Sequence, residues 1–325
     1  MQAILIERFG DPSELRQKEV PRPDPGEGEV LIEVHAAAVN RSDVLNARGS
    51  FPFTTLLAYQ GAISPGSSSK GHGSSWGQRS GVRAVGSLGS SATGPTLGTS
   101  PSPGTPWCRN PTRSLEEAAA LGLAYVTAGS ALIELGGISA GETVLITGAA
   151  GGVGSAAVMI ARWKGARVIG AIKDESERAM AERAGVEVIV DTSREEVTDT
   201  VLAATDRGGA NLILDAVGGP LFQPALNSLG EKGRMVVITT TPSKQHVSFN
   251  LLDFYRKGLR LFGLMTSFLD AEGSAAVLRD LAPGFDEGAL LAPAIAERYP
   301  LEQAGTAYAR VESGEVAGRV LLVMG

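Results

Sequence analysis

Thr143-Val144-Leu145-Ile146-Thr147-Gly148-Ala149-Ala150-Gly151-Gly152-Val153-Gly154 is the stretch on which the fold turns. A short apolar run, Val144-Leu145-Ile146, enters a glycine-rich turn, and a small-residue helical pattern follows from Ser155 to Trp163. Strand, loop and helix in this order predict that Ala150, Gly151, Gly152, Val153 and Gly154 receive the pyrophosphate of a dinucleotide on bare main chain. Gly151 and Gly154 lack side chains where the phosphates would approach and where the helix must pack on the strand. The helix N-terminus offers N–H donors to the anion. Ala149 stands where the usual pattern has its first glycine, and the plainer alternative is a tight strand-to-helix turn that binds nothing.

The pattern repeats downstream. Ala166–Ile172 reads as a second strand, a charged helix runs from about Asp174 to Ala184, and Glu187–Asp191 reads as a third strand. Asn211–Asp215, Arg234–Ile238 and Leu259–Gly263 follow as further strands. Strands alternating with helices predict an α/β fold with a doubly wound parallel sheet. Upstream, Ser114-Leu115-Glu116-Glu117 is a capping box that opens an alanine-rich helix. The tail has helical patterns at Gly273–Leu281 and Leu301–Ser313 and a last strand at Arg319–Val323. Residues 1 to about 56 read as β structure, with Met1–Glu7 and Val30–His35 as strands and a turn at Pro21–Gly26.

The chain has 325 residues, a net charge of −6 and one cysteine, Cys108. The length suggests two domains, and the acidic balance speaks against nucleic acid or an anionic membrane as partner. A single cysteine excludes an internal disulfide and a four-cysteine zinc site. No apolar run approaches a membrane span, and the N-terminus lacks a signal peptide's basic start, so a cytoplasmic protein is expected.

Residues 57–112 break the pattern. Gly, Ser, Pro and Thr dominate, and no Asp or Glu occurs between Asp43 and Glu116. A loop of that length inside a compact domain is itself a warning.

The ordered parts, 1–56 and 114–325, resemble the zinc-independent quinone oxidoreductase branch of the medium-chain dehydrogenase/reductases. The resemblance rests on Val39-Asn40-Arg41-Ser42-Asp43, the Gly148–Gly154 loop, Leu214–Gly219, Asn250–Tyr255 and Gly318-Arg319-Val320. It implies a Rossmann domain over 122–266 and a GroES-like β-barrel substrate domain over 1–121 and 267–325. It also implies barrel strands and an Asp-Gly-Thr-His-Ala-Glu-Tyr signature within 57–112, which this chain lacks. Back-translated into GC-rich codons and read in a shifted frame, Ala62–Gly66 becomes Asp-Phe-Ala-Gly and Thr93–Thr99 becomes Asp-Gly-Thr-His-Ala-Gly-Tyr. A frame error in this segment is therefore expected over a low-complexity insertion. Resequencing the gene across residues 50–115 tests it, and an uninterrupted frame with observed peptides of this composition would overturn it.

Zinc-using relatives carry a ligand cysteine where this chain has Asn40, and His35, His72 and His246 have no ligand spacing, so no metal is expected. The cofactor expected is NADP(H). At the end of the second strand stand Ile172, Lys173 and Asp174, and Lys173, with Arg178 one turn on, can neutralise a 2′-phosphate. Both cations can equally be a solvated face, and Asp174 an N-cap of the helix that follows. Val217, Gly218, Thr239, Thr240 and Thr241 follow strands at the sheet's carboxyl edge. The resemblance places these loops, together with Thr127, Leu264 and Met265, along the cofactor. Ordinary turns, and a Thr127 that merely packs, remain the alternatives. Asn40 is the polar candidate beside the nicotinamide, with Asp43 either orienting it or simply being a helix N-cap.

The expected activity is hydride transfer from NADPH to a small quinone or α,β-unsaturated carbonyl. A catalytically impaired nucleotide-binding protein and an enoyl-thioester reductase are the alternatives. The resemblance further implies a homodimer joined through the nucleotide domain.

Overall fold

The computed structural model describes residues 1–22, 34–50, 58–60, 114–240, 245–269 and 271–324. The readings at Pro23–Gly26, Val30–Glu33, residues 61–112 with His72 and Cys108, and Thr241 lie outside these. The chain divides into one unit of Met1–Leu123, Thr266–Ala282 and Ala292–Gly325, and a second of Ala124–Met265 and Pro283–Leu291.

The N-terminal part of the first unit holds β1 (Gln2–Ile6), β2 (Gln17–Glu19), β3 (Ala36–Val39), α1 (Arg41–Ala47) and β4 (Ala58–Gln60). The small-residue run at 36–39 is thus itself a strand, and residues 41–47 form a helix where β structure was expected. The helix starts there because the Asp43 carboxylate accepts the Asn40 N–H at 2.7 Å, closing the first turn. Val44 and Ala47, three apart, then bury one face of it. Ala58–Gln60 opens the segment expected to lack structure, and pairs with β1 along the edge opposite β2.

α2 (Leu115–Gly129) begins with the capping box foreseen for it: the Ser114 N–H donates to Glu117 at 3.1 Å, and the Glu117 N–H donates to Ser114 Oγ at 3.2 Å. Its last turns widen into a π-helical stretch, Ser130–Leu135. The continuous segment Leu115–Leu135 is long and apolar enough to cross a membrane, which corrects the expectation that no run approaches that length. Of its apolar window 61% is buried inside the protein, as in a core helix.

The second unit continues with β5 (Thr143–Thr147), α3 (Gly152–Trp163), β6 (Arg167–Ile172), α4 (Arg178–Ala184), β7 (Val188–Asp191) and α5 (Val197–Ala204). β8 (Ala210–Asp215), α6 (Phe222–Asn227), β9 (Leu229–Val237), α7 (Leu251–Arg256) and β10 (Arg260–Gly263) complete it. The sheet order is β10-β9-β8-β5-β6-β7, and every pairing is parallel. Strands buried on both faces read as continuous apolar runs, which is why Val144–Ile146 and Leu212–Leu214 carry no alternation. Leu145, Ile169, Val190, Ile213 and Met235 form one side of its core with Phe222 and Leu226 of α6. On the edge away from the loops, the Arg234 guanidinium clamps Glu142 with two bonds of 2.7 Å.

The chain ends with α8 (Ala271–Asp286), β11 (Ile295–Pro300), α9 (Ala304–Ser313) and β12 (Arg319–Val323). β12 lies between β11 and β3. Ile4, Ile6, Val39, Val44, Tyr308, Val320 and Leu322 pack as the first unit's core. Pro283–Leu291 groups with the second unit although the chain on both sides of it belongs to the first. Tyr125 explains this: its hydroxyl donates to Leu291 O at 2.6 Å and its ring lies 4.8 Å from that of Phe285.

Candidate functional site

In the second unit all six strands point the same way, so their carboxyl ends share one edge. The order reverses between β5 and β8, and such a switch point is where doubly wound sheets bind ligands. The loops foreseen at this edge meet there. A Cβ on Gly148 would lie 3.2 Å from Val217 Cγ2, and one on Gly218, whose φ is +66°, would lie 2.5 Å from Thr239 O. The Gly148–Gly154, Val217–Gly218 and Thr239–Thr240 segments are therefore adjoining. Leu264 joins the edge by donating its N–H to Val237 O at 2.9 Å, with Met265 next to it, half-buried.

At the glycine loop, the Gly151 N–H donates to Gly148 O at 2.9 Å and α3 starts at Gly152 with no side chain capping it. Its first-turn N–H groups are left for an outside acceptor, which at a helix N-terminus is favourably an anion. Ala150 is buried, Gly152 and Val153 are half-buried, and Gly151 is exposed. The Thr127 hydroxyl, on α2, is buried without a hydrogen-bond partner, as is that of Ser130 one turn on. A buried, unpaired hydroxyl is costly unless something else bonds it.

Asp215 was read only as the end of a strand. In the structure its Oδ1 accepts the Thr147 hydroxyl at 2.7 Å and the N–H groups of Val217 and Gly218 at 3.2 and 2.9 Å. It thereby fixes the loop that carries two of the foreseen residues. An aspartate directly before Ala-Val-Gly-Gly was the available signal, because short acidic side chains bond the backbone two or three residues on.

Lys173 is exposed just beyond β6, and its N–H donates to Glu177 at 2.8 Å. Asp174 accepts from the Ser176 hydroxyl at 2.5 Å and from its N–H at 3.0 Å, capping a short 3₁₀ turn, and those bonds hold its carboxylate below the usual range. Arg178 is paired with Glu175 at 2.7 Å. That pairing, at a spacing of three, was legible in the sequence.

The first unit holds a separate polar group. Asn40 lies between β3 and α1, where its Nδ2 donates to Asp43 Oδ2 at 2.9 Å and to Ala38 O at 3.3 Å. Its Oδ1 accepts from the Arg319 guanidinium on β12. Asn40, Asp43 and Arg319 are 7, 0 and 8% exposed. Asp43 therefore orients the Asn40 side chain but is not the N-cap: Asn40 itself caps α1, and Asp43, third in the helix, accepts its N–H. Arg319 is legible in the sequence as part of a motif and as the start of the last strand, and nothing local marks it as Asn40's partner.

Burial pushes Asp43 up to about 7, against the opposing pull of the Asn40 bonds and the Arg319 charge. Burial likewise lowers Arg319 to about 10, which leaves it charged at neutral pH. Because the folded state holds the Asp43 proton more tightly than the unfolded chain, its contribution to stability is full below about pH 4. That contribution is lost as pH rises through about 7. Asp43→Asn keeps an acceptor for both Asn40 N–H groups and removes the titration. Denaturant unfolding should show about 2 kcal/mol more stability lost between pH 5.5 and 8 in the natural protein than in the variant. Equal losses would refute the assignment.

A family profile described as zinc-binding dehydrogenase matches residues 152–280. A quinone oxidoreductase of Sus scrofa is 28% identical over 333 residues, covering 100% of this chain and 98% of that protein. A zinc-type alcohol dehydrogenase-like protein of Schizosaccharomyces pombe is 31% identical over 282 residues, covering 83% of this chain and 79% of that one. The chain belongs to the medium-chain dehydrogenase/reductase superfamily. Within the superfamily it is a quinone oxidoreductase-like member, and an oxidoreductase. The superfamily fold, a Rossmann domain with a GroES-like one, is shared with a crystal structure of Escherichia coli quinone oxidoreductase complexed with NADPH. That structure has a TM-score of 0.74 at 21% identity, covering 99% of this chain and all of that one.

Proposed function

We propose that this medium-chain reductase uses NADPH to reduce a quinone or an α,β-unsaturated carbonyl, without zinc. The observation that carries the reading is the uncapped start of α3 at the switch point, where three foreseen loops adjoin. The NADPH held by the Escherichia coli protein supports it.

Residues Ala150–Gly154 would hold the pyrophosphate, Val217, Gly218, Thr239 and Thr240 would border the cofactor, and Thr127, Leu264 and Met265 would lie toward the nicotinamide. Bound there, the nicotinamide supplies the hydride. The chain's own contribution is orientation and exclusion of water. The second unit would carry the cofactor, and Asn40 is proposed as the catalytic polar group of the first unit, with Asp43 holding it. For zinc the fit is poor. Among the described residues no three of His, Cys, Asp or Glu come together. The side chain on Asn40's oxygen is a guanidinium, whose fixed charge repels a divalent cation.

Lys173 supports NADPH over NADH, since Asp174 is engaged by Ser176 and Arg178 by Glu175. Lys173→Glu should weaken NADPH about tenfold while leaving NADH within a factor of two, as read by fluorescence titration. An unchanged preference would remove Lys173 from the site.

Titration with NADPH followed by 1,4-benzoquinone, an enone or an acyl thioester tests the activity. Oxidation with the quinone or enone is expected. Binding without turnover would favour an impaired nucleotide-binding protein, and turnover confined to the thioester an enoyl-thioester reductase. A homodimer in the cytoplasm completes the proposal. Edge strand β10, with Leu261 exposed, and Leu251 and Tyr255 exposed on α7, support a mate for that edge. Light scattering at the mass of one chain would exclude it.

A further inference from the structure

We infer that Arg319 is a positioning residue of the reaction site, which fixes the Asn40 carboxamide as an acceptor with no free donor. The inference rests on the reading that Asn40 stands at the reacting centre. β12 runs antiparallel to β3 with Val320 opposite Val39, so the next pair in that register is Arg319 and Asn40. At that point the Arg319 guanidinium donates to Asn40 Oδ1. The two amide hydrogens of Asn40 are spent on Asp43 Oδ2 at 2.9 Å and Ala38 O at 3.3 Å. A carboxamide has two donors and two acceptor lone pairs. With both donors committed, with Oδ1 taking the Arg319 guanidinium, and with Asn40 and Asp43 closing a capping box, the amide is held in one orientation.

Asp43 and Ala38 O hold the nitrogen end of this amide, and the Arg319 guanidinium is the side-chain donor that holds its oxygen end. Arg319 is also the only one of its contacts that carries positive charge, and its Nε is buried without a partner. The charged and titratable groups facing Asp43 are Arg319 from β12 and Tyr308 from α9. Removing the guanidinium thus leaves Asp43 with a buried phenol and a loosened amide.

The test compares the natural protein with Arg319→Met and Arg319→Lys. Arg319→Met should lower kcat about tenfold with KM for NADPH within a factor of two, because the lost bond acts at the reacting centre and not on cofactor binding. Its pH–rate midpoint should move up as Asp43 loses a neighbouring cation, and Arg319→Lys should restore both. A purely structural role would lower the folded fraction of both variants and leave the midpoint in place. Amide NMR of the natural protein stands apart from folding of the variants and from turnover. The Asn40 side-chain protons, assigned by their loss in Asn40→Asp, should exchange slowly with water and stay unshifted when NADPH is added. Fast exchange, or an Arg319→Met protein with natural kcat and midpoint, would overturn the inference. Failure of the natural protein to bind NADPH would instead overturn the functional reading, while the exchange result still decides the geometry.

Discussion

Gly154→Val should abolish NADPH binding and destabilise the second unit, whereas Gly151→Ala should leave the protein folded and only weaken the cofactor. A Cβ at Gly154 would lie 2.0 Å from Gly148 O, 2.8 Å from Gly148 C and 2.9 Å from Ala149 Cα. All three are backbone atoms of the loop, so no side chain can swing aside to make room. Overpacking of this kind costs roughly 3 kcal/mol or more, and the only relief is to lift α3 off the turn. Gly151 is different. Its φ of −73° suits any residue, and a Cβ there would meet only Gly148 O, at 3.3 Å. Stability should stay within about 1 kcal/mol of the natural protein. The added methyl stands on the exposed side of the loop, where the phosphates are proposed to rest, so the Kd for NADPH should rise about tenfold to a hundredfold. Thermal melts beside fluorescence titrations separate the two effects. A Gly151→Ala protein with natural affinity would place the phosphates elsewhere.

Asp215→Ala should be the most damaging polar substitution in the second unit, and Asp215→Asn far milder. Alanine removes the acceptor for the Thr147 hydroxyl and the Val217 and Gly218 N–H groups together. Each buried donor left unpaired costs about 1–3 kcal/mol, so a loss of about 4 kcal/mol follows even if the Val217 N–H reaches water. Asparagine keeps one oxygen in the position that takes all three bonds. Its amide would take the place of Oδ2, which is buried and already has no partner, and that mismatch should cost about 1–2 kcal/mol. The loop freed by alanine carries Gly218, packed against Thr239 O, so NADPH affinity should fall with stability. Urea unfolding and calorimetric titration of both variants test the ranking. Equal stability of the two would show that the three bonds contribute nothing net.

What was legible in the sequence was whatever depends on near neighbours. The Ser114 cap and the strand–glycine–helix unit are local, and they stand in the structure where the pattern put them. Strand β3 was missed because Ala36-Ala37-Ala38-Val39 has no alternation to read, being covered on one side by β1's core and paired with β12. For helix α1 the sequence offers only Asp43 as an N-cap, whereas the cap is Asn40 and Asp43 stands third in the helix. Arg178 pairs with Glu175, three residues before it, a contact that the spacing offers.

By itself the sequence determined the parallel sheet and its glycine loop, because periodicity, glycines and caps act within a few residues, while the superfamily entered through the resemblance of its motifs. Only the tertiary structure decided that Arg319 grips Asn40 across 279 residues, that Asp215 holds three donors at once, and that Pro283–Leu291 belongs with the second unit. Those outcomes follow from strand register and burial, which bring distant residues together and deny their polar groups water. No spacing along the chain encodes the Arg319–Asn40 or Thr147–Asp215 contacts, whereas the Asp215 bonds to Val217 and Gly218 are local.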